Sequence, residues 1–179
     1  MELRGKHRLV AHPGHPPRSV RSVEVEVEVD DHITLTYAVE PAAGLILSDH
    51  GGNRQDALWR STCFELFAKG ARDARYREFN FAPGGAWNAY AFSGWRQGMR
   101  PLDVAAPPRL AERRQSVPGR YELEVTLARE ALGEGLVSVS LTTIVEETDG
   151  TFSYWALAHA AGDPDFHHPH AFALELRPR

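Results

Sequence analysis

Val23-Glu24-Val25-Glu26-Val27-Glu28-Val29 alternates an apolar with a charged side chain at every step. A period of two places all four valines on one side of an extended chain and all three glutamates on the other, the pattern of a strand with one face buried and one in water. Asp30-Asp31 follows as a turn. Ile33, Leu35, Tyr37 and Val39 then resume the alternation against Thr34 and Thr36, which makes the pair an antiparallel hairpin. Further strands are expected at Ser61–Ala68, Tyr76–Ala82, Ala86–Phe92, Tyr121–Leu127, Leu136–Val145, Phe152–Leu157 and Ala171–Leu176, most of them bounded by Gly, Pro, Asp or Asn. Short strands with almost no helical period indicate an all-β antiparallel sandwich of jelly-roll or immunoglobulin-like type. One short helical turn is expected at Ala128–Leu132, where Ala-Arg-Glu-Ala-Leu runs into Gly133.

The chain has 179 residues, enough for one core, and is read as a single domain over 1–179 with an irregular N-terminal arm at 1–19. Three connections are long: Glu40–Leu58, Ser93–Arg120 and Ala158–His170. Loops of that length in a compact domain often carry function. The net charge of −4 supplies no positive field for nucleic acid or an anionic membrane. Arg109, Arg113, Arg114 and Arg120 cluster, but glutamates and prolines interrupt them. Cys63 is the single cysteine, so no intrachain disulfide forms, and its place among apolar residues suits a buried, inert thiol. No stretch approaches the ~18 apolar residues of a membrane span, and no apolar signal segment opens the chain; a cytoplasmic protein is expected.

The chemistry concentrates in three strands. In Trp59-Arg60-Ser61-Thr62-Cys63-Phe64-Glu65-Leu66-Phe67, a regular strand sets Phe64 and Leu66 against Trp59, Cys63 and Glu65. A carboxylate in so apolar a strand needs a partner, either an arginine or a ligand. Phe79 and Phe81 likewise oppose Tyr76, Glu78 and Asn80, and Trp87 opposes Asn88, Tyr90 and Phe92. A sheet face with Glu65, Glu78, Asn80 and aromatic rings suits a neutral polyhydroxylated ligand, whose CH faces stack on rings while its hydroxyls need fixed partners. It equally suits an ordinary amphipathic sheet.

The run Leu58-Trp59, Thr62-Cys63-Phe64-Glu65-Leu66-Phe67, Tyr76-Arg77-Glu78-Phe79-Asn80-Phe81-Ala82-Pro83-Gly84-Gly85-Ala86-Trp87, Tyr154-Trp155-Ala156-Leu157 and Pro164-Asp165-Phe166-His167 before Phe172-Ala173-Leu174 resembles the bacterial DOMON-like domains, which are similar to family 9 carbohydrate-binding modules. The resemblance covers the chain from Leu58 onward and implies a β-sandwich that binds a sugar or haem. In the sugar-binding modules two tryptophans hold the saccharide and a glutamate follows the first by six residues. Trp59 and Glu65 have that spacing, and Trp155 stands in place of the second ring. Where the modules often carry an acidic residue three before that glutamate, this chain has Thr62.

The candidate ligand-binding residues are therefore Trp59, Glu65, Glu78, Asn80, Trp87 and Trp155, for a small-molecule ligand of saccharide type and with no cofactor. The haem branch uses Met and His as axial ligands, for which Met99 is the one internal methionine; no Cys-x-x-Cys-His attachment signature accompanies it. Asp163-Pro164-Asp165-Phe166-His167-His168-Pro169-His170 offers Asp165, His168 and His170 as weak metal candidates against the alternative of a solvated loop. Ser48-Asp49-His50 lists triad residue types without the convergence a triad needs. Paired Glu65 and Glu78 could serve glycoside hydrolysis, which stays as the enzyme alternative beside a protein-interaction module.

Overall fold

The computed structural model describes residues 3–113 and 119–176. Thirteen strands run among them: β1 (Leu3–Arg8), β2 (Val10–Ala11), β3 (Ser22–Val29), β4 (His32–Glu40), β5 (Cys63–Gly70), β6 (Tyr76–Phe81), β7 (Trp87–Phe92), β8 (Arg100–Pro101), β9 (Arg109–Glu112), β10 (Tyr121–Ala128), β11 (Val137–Glu146), β12 (Phe152–Ala156) and β13 (Leu174–Leu176). Strand accounts for 48% of the described residues and helix for 8%, and every pairing between the named strands is antiparallel. The fold is an all-β sandwich.

The Val/Glu alternation folds as read. All four valines of β3 are buried, and β3 pairs β4 in register from Ser22↔Glu40 to Val29↔Ile33. The smaller sheet has the order β1-β3-β4-β10-β9, and the larger β2-β12-β11-β5-β6-β7-β8, with β13 sharing the edge of β11. The sheets meet through one core, to which the smaller gives Val25, Leu35, Tyr37, Tyr121 and Leu123, and the larger gives Phe64, Leu66, Phe79, Phe81 and Leu141. Tyr37 crosses the interface by donating its hydroxyl to the Glu65 carbonyl at 2.8 Å, which ties the back of β5 to the opposite sheet.

Several expectations are corrected. Leu3–Arg8 is not part of an irregular arm: it pairs with β3 from Leu3↔Val29 to Arg8↔Glu24. The reason lies in charge, since Arg4 reaches Glu26 and Glu28 at 2.6 and 2.9 Å and Lys6 reaches Glu24 at 2.7 Å. The β3 glutamates are thus half-exposed rungs of an ion-pair ladder, not free in water. The long Ser93–Arg120 connection contains β8 and β9, too short to show a period. The helical turn at Ala128–Leu132 exists as a 3-10 turn over Arg129–Leu132, closed by Gly133 at φ 102°. Its Glu130 and Ala131 carbonyls accept the Arg77 guanidinium. Ala171–Leu176 divides into a 3-10 turn at Pro169–Ala171 and β13.

Candidate ligand cavity

The outer face of the larger sheet carries the side chains that the inter-sheet core leaves out. Strict alternation puts Cys63, Glu65 and Phe67 of β5 there, beside Tyr76, Glu78 and Asn80 of β6 and Asn88, Tyr90 and Phe92 of β7. This face is not bare. A second core forms on it from Leu58, Cys63, Phe67, Tyr76, Tyr90, Phe92, Ile144 and Phe166, with Phe172 from the closing segment packed against them. The Leu58–Arg60 turn and the loops after β7 and β12 leave one recess between them, a cavity of about 350 Å³ bordered by Trp59, Phe92, Met99, Ile144, Tyr154 and Phe166 and by the polar groups of Glu65, Glu78, Arg96 and His167.

Glu65 and Glu78 are 2% and 4% exposed. Across β5 and β6 Glu65 faces Asn80, so Glu78 stands diagonally from it on the same face. Glu65 accepts a hydrogen bond from Thr142 at 3.0 Å, in line with their register on β11 and β5. Burial, with the neighbouring Glu78 charge added, pushes the Glu65 carboxyl well above the usual range. Burial raises Glu78 to about 7, against the opposing pull of the Asn80 amide and the Arg96 charge. Of the two partners weighed for Glu65, an arginine or a ligand, no arginine pairs with it among the described residues; the carboxyl rests on the neutral Thr142 hydroxyl. Asn80 is fully buried, and neither its amide nitrogen nor its oxygen closes a hydrogen bond of normal geometry.

The loops fix the rim. Asp165 accepts Arg96 at 2.8 and 3.1 Å, the Trp95 indole at 3.0 Å and the His167 backbone N–H at 3.1 Å, so one carboxylate joins the loop after β7 to the loop after β12. Tyr76 contacts His167 Nδ1 at 2.7 Å, and burial, with Arg96 nearby, lowers His167 to about 4 and keeps it neutral. Its Nε2 faces Glu78 Oε2 at 3.9 Å. Trp59, 36% exposed, leans edge-on over Tyr90 at 5.8 Å, and Tyr90 is held in turn by Asn88 and Asp56. Ala57 and Arg96, which flank the cavity on two loops, both adopt positive φ (60° and 53°). Non-glycine residues in that region cost of order 1–3 kcal/mol and concentrate at functional sites.

The cavity brings together Trp59, Glu65 and Glu78, with Asn80 beside them on the same face. It excludes two other candidates. Trp155 belongs to the inter-sheet core, 4% exposed, with its indole donating to Ser153. Tyr154, one residue earlier and therefore on the opposite face, borders the cavity in its place. Trp87 also faces the inter-sheet core, under the Arg54 guanidinium. Met99 lies at the mouth, 48% exposed. The weak metal set does not converge: Asp165 is spent on Arg96 and Trp95, His168 Nδ1 accepts the His170 backbone N–H, and no three metal-ligating side chains come together among the described residues.

Ser48, Asp49 and His50 do not converge either, since Ser48 lies against Ser61 and Asp49 closes its own turn onto Gly51. Among the basic cluster, Arg113 pairs with Glu124 and Arg120 with Glu122, while Arg114 lies outside the described residues. Cys63 is buried, and desolvation together with Glu65 and Glu78 pushes its thiol up, the opposite of a nucleophile. Arg96 has no signal in the sequence beyond membership of a long loop, while Phe166 and His167 belong to the run that carries the resemblance but are not singled out as binding residues.

No helix among the described residues is long and apolar enough to cross a membrane. No protein-family profile matches the chain. No curated protein matches it either. Its fold is similar to the crystal structure of a putative carbohydrate-binding protein from Bacteroides uniformis, with a TM-score of 0.63 at 16% identity over 94% of this chain and 84% of that one.

Proposed function

We propose that the chain is a non-catalytic binding domain for a saccharide or saccharide-like ligand, seated in the cavity on the outer face of the larger sheet. The observation that carries this reading is the placing of two buried carboxyl groups, Glu65 and Glu78, at a recess walled by Trp59, Phe92, Tyr154 and Phe166. A pyranose offers apolar CH faces to such rings and hydroxyls to such carboxyls. Glu65 held by Thr142 and Glu78 beside His167 give fixed hydrogen-bonding positions, and the carbohydrate-binding role ascribed to the Bacteroides uniformis neighbour supports this ligand class.

The test is a screen of mono- and oligosaccharides by tryptophan fluorescence and calorimetry, followed by Trp59→Ala and Glu65→Gln. Stacking and charge-assisted bonds each contribute about 1–3 kcal/mol, so each substitution should weaken a hit by about tenfold or more while the domain stays folded. A screen without a single hit sinks the reading. A second reading draws on two carboxyls side by side at the recess, both raised by burial, a pairing that general acid–base chemistry on a glycosidic bond uses. New reducing ends on an incubated oligosaccharide, lost in Glu78→Gln, would replace binding by hydrolysis.

A further inference from the structure

We infer that the ligand of this cavity is cationic: an amino sugar whose protonated primary amine sits between Glu65 and Glu78 while its ring lies against Trp59 and Tyr154. The inference rests on the saccharide reading and adds a charge to it.

Burying two carboxylates side by side is costly unless they stay protonated or a cation is paired with them, and a bound cation is what would let both ionise. Among the described residues, no lysine or arginine lies within ion-pair distance of Glu65 or Glu78. Arg96 borders the cavity, but its guanidinium is committed to Asp165 by two hydrogen bonds. His167 stands 3.9 Å from Glu78 with Nδ1 engaged by Tyr76, and is neutral. For a neutral sugar, amides or hydroxyls at positions 65 and 78 would supply the same hydrogen bonds without the cost of two buried acids.

Asn80 is the second observation. It lies opposite Glu65 and two residues after Glu78, and it is fully buried; its amide leans toward Glu78 and favours the charged carboxylate, while its oxygen has no donor. A buried acceptor without a donor is a cost that a ligand N–H would remove. Its oxygen is a third acceptor on the same face as the two carboxyls, and a primary ammonium has three donors. The walls complete the match, because the faces of Trp59, Phe92, Tyr154 and Phe166 favour a cation by their quadrupoles.

The charged and titratable groups around the pair are Arg96, paired with Asp165 yet still pulling on Glu78, neutral His167, and the hydroxyl or thiol groups of Tyr76, Tyr90 and Cys63. Burial raises both carboxyls, Glu78 to about 7, so the pair gains charge as pH climbs through neutrality. Affinity for an amino sugar should rise as pH climbs through about 7, until the amine of the ligand loses its own proton.

Calorimetry with glucosamine, N-acetylglucosamine, glucose and cyclohexylamine tests this on the full chain. Glucosamine should bind at least about tenfold more tightly than glucose or N-acetylglucosamine at about pH 7.5, and the preference should shrink at about pH 5.5. Glu78→Gln should bring the glucosamine-to-glucose ratio toward one; if that variant does not fold, the pH dependence of the wild-type ratio decides alone. Equal binding of glucose and glucosamine overturns the charge and leaves the saccharide reading intact. Cyclohexylamine binding as tightly as glucosamine, with neutral sugars inert, overturns the sugar ring instead. Silence from all four probes overturns both.

Discussion

The Tyr76 hydroxyl lies 2.7 Å from His167 Nδ1 and accepts the Arg96 backbone N–H at 3.1 Å. Burial pushes the phenol up to about 12, so it keeps its proton. When that proton is donated to Nδ1, the imidazole proton falls on Nε2, 3.9 Å from Glu78. The Tyr76 contact thereby couples the histidine tautomer to the cavity wall.

His167 should consequently remain neutral well below its ordinary pH, with the Nε2–H tautomer visible in nitrogen NMR shifts. Its folded pKa near 4 lies below the unfolded value of about 6.5. As pH falls from about 6.5 toward 4, the unfolded chain takes up a proton that the folded one refuses, and stability drops by something on the order of 3 kcal/mol. His167→Gln should flatten that part of the stability profile. An unchanged profile would mean that the ring is solvated.

Glu78 works with the opposite sign. Its folded pKa of about 7 exceeds the ordinary 4.5, so the folded state loses stability as pH rises from about 4.5 to 7. Glu78→Gln removes the penalty. The variant should be more stable than wild type above pH 7 by something on the order of 3 kcal/mol, with the difference vanishing below about 4.5. Denaturant titrations at both ends of the range measure it, and a variant less stable than wild type at high pH would show that the carboxylate is well paired.

Trp59 and Trp155 should part company under mutation. Trp155→Ala empties a site in the inter-sheet core and should cost about 3–5 kcal/mol. Trp59→Ala removes a partly exposed ring and should cost far less stability, its effect falling on ligand affinity. Melting temperature and binding measured on both variants check this, and similar losses of stability would place the two rings in equivalent environments.

Val25→Asp should destabilise the domain by several kcal/mol, because Val25 is fully buried on β3. Glu26→Gln should cost no more than about 1 kcal/mol, the ordinary worth of an exposed pair with Arg4. Equal effects in denaturant titrations would mean that β3 is not half-buried.

What could be read from sequence was whatever follows from alternation. Parity alone separates Glu65, Glu78 and Asn80 from Phe64, Phe79 and Phe81, and it correctly puts the polar set on one face. The same rule separates Trp155 from Tyr154, turning Trp155 into the inter-sheet core and Tyr154 toward the cavity. Glu147 illustrates the other limit: it is buried and its carboxylate accepts the backbone N–H groups of Arg18, Ser19 and Val20, partners 127 to 129 residues away. Desolvation works against that charge and these bonds lower its pKa. Nothing local to position 147 announces such partners. Arg96 escapes for the same reason, since loops without periodicity reveal contacts only once the strands have fixed their ends, and the places of Phe166 and His167 at the cavity follow from the same folding of the loop after β12.

The alternation in β5, β6 and β7 has a consequence for how this protein can diverge. Inward residues of these strands answer to the opposite sheet, while their outward neighbours answer to the loops over the cavity. A library confined to Trp59, Glu65, Glu78 and Arg96 would therefore vary the cavity while leaving both the inter-sheet core and the second core of Cys63, Phe67, Tyr76 and Tyr90 in place. On the outward face of each strand, positions that can drift alternate with positions that must hold.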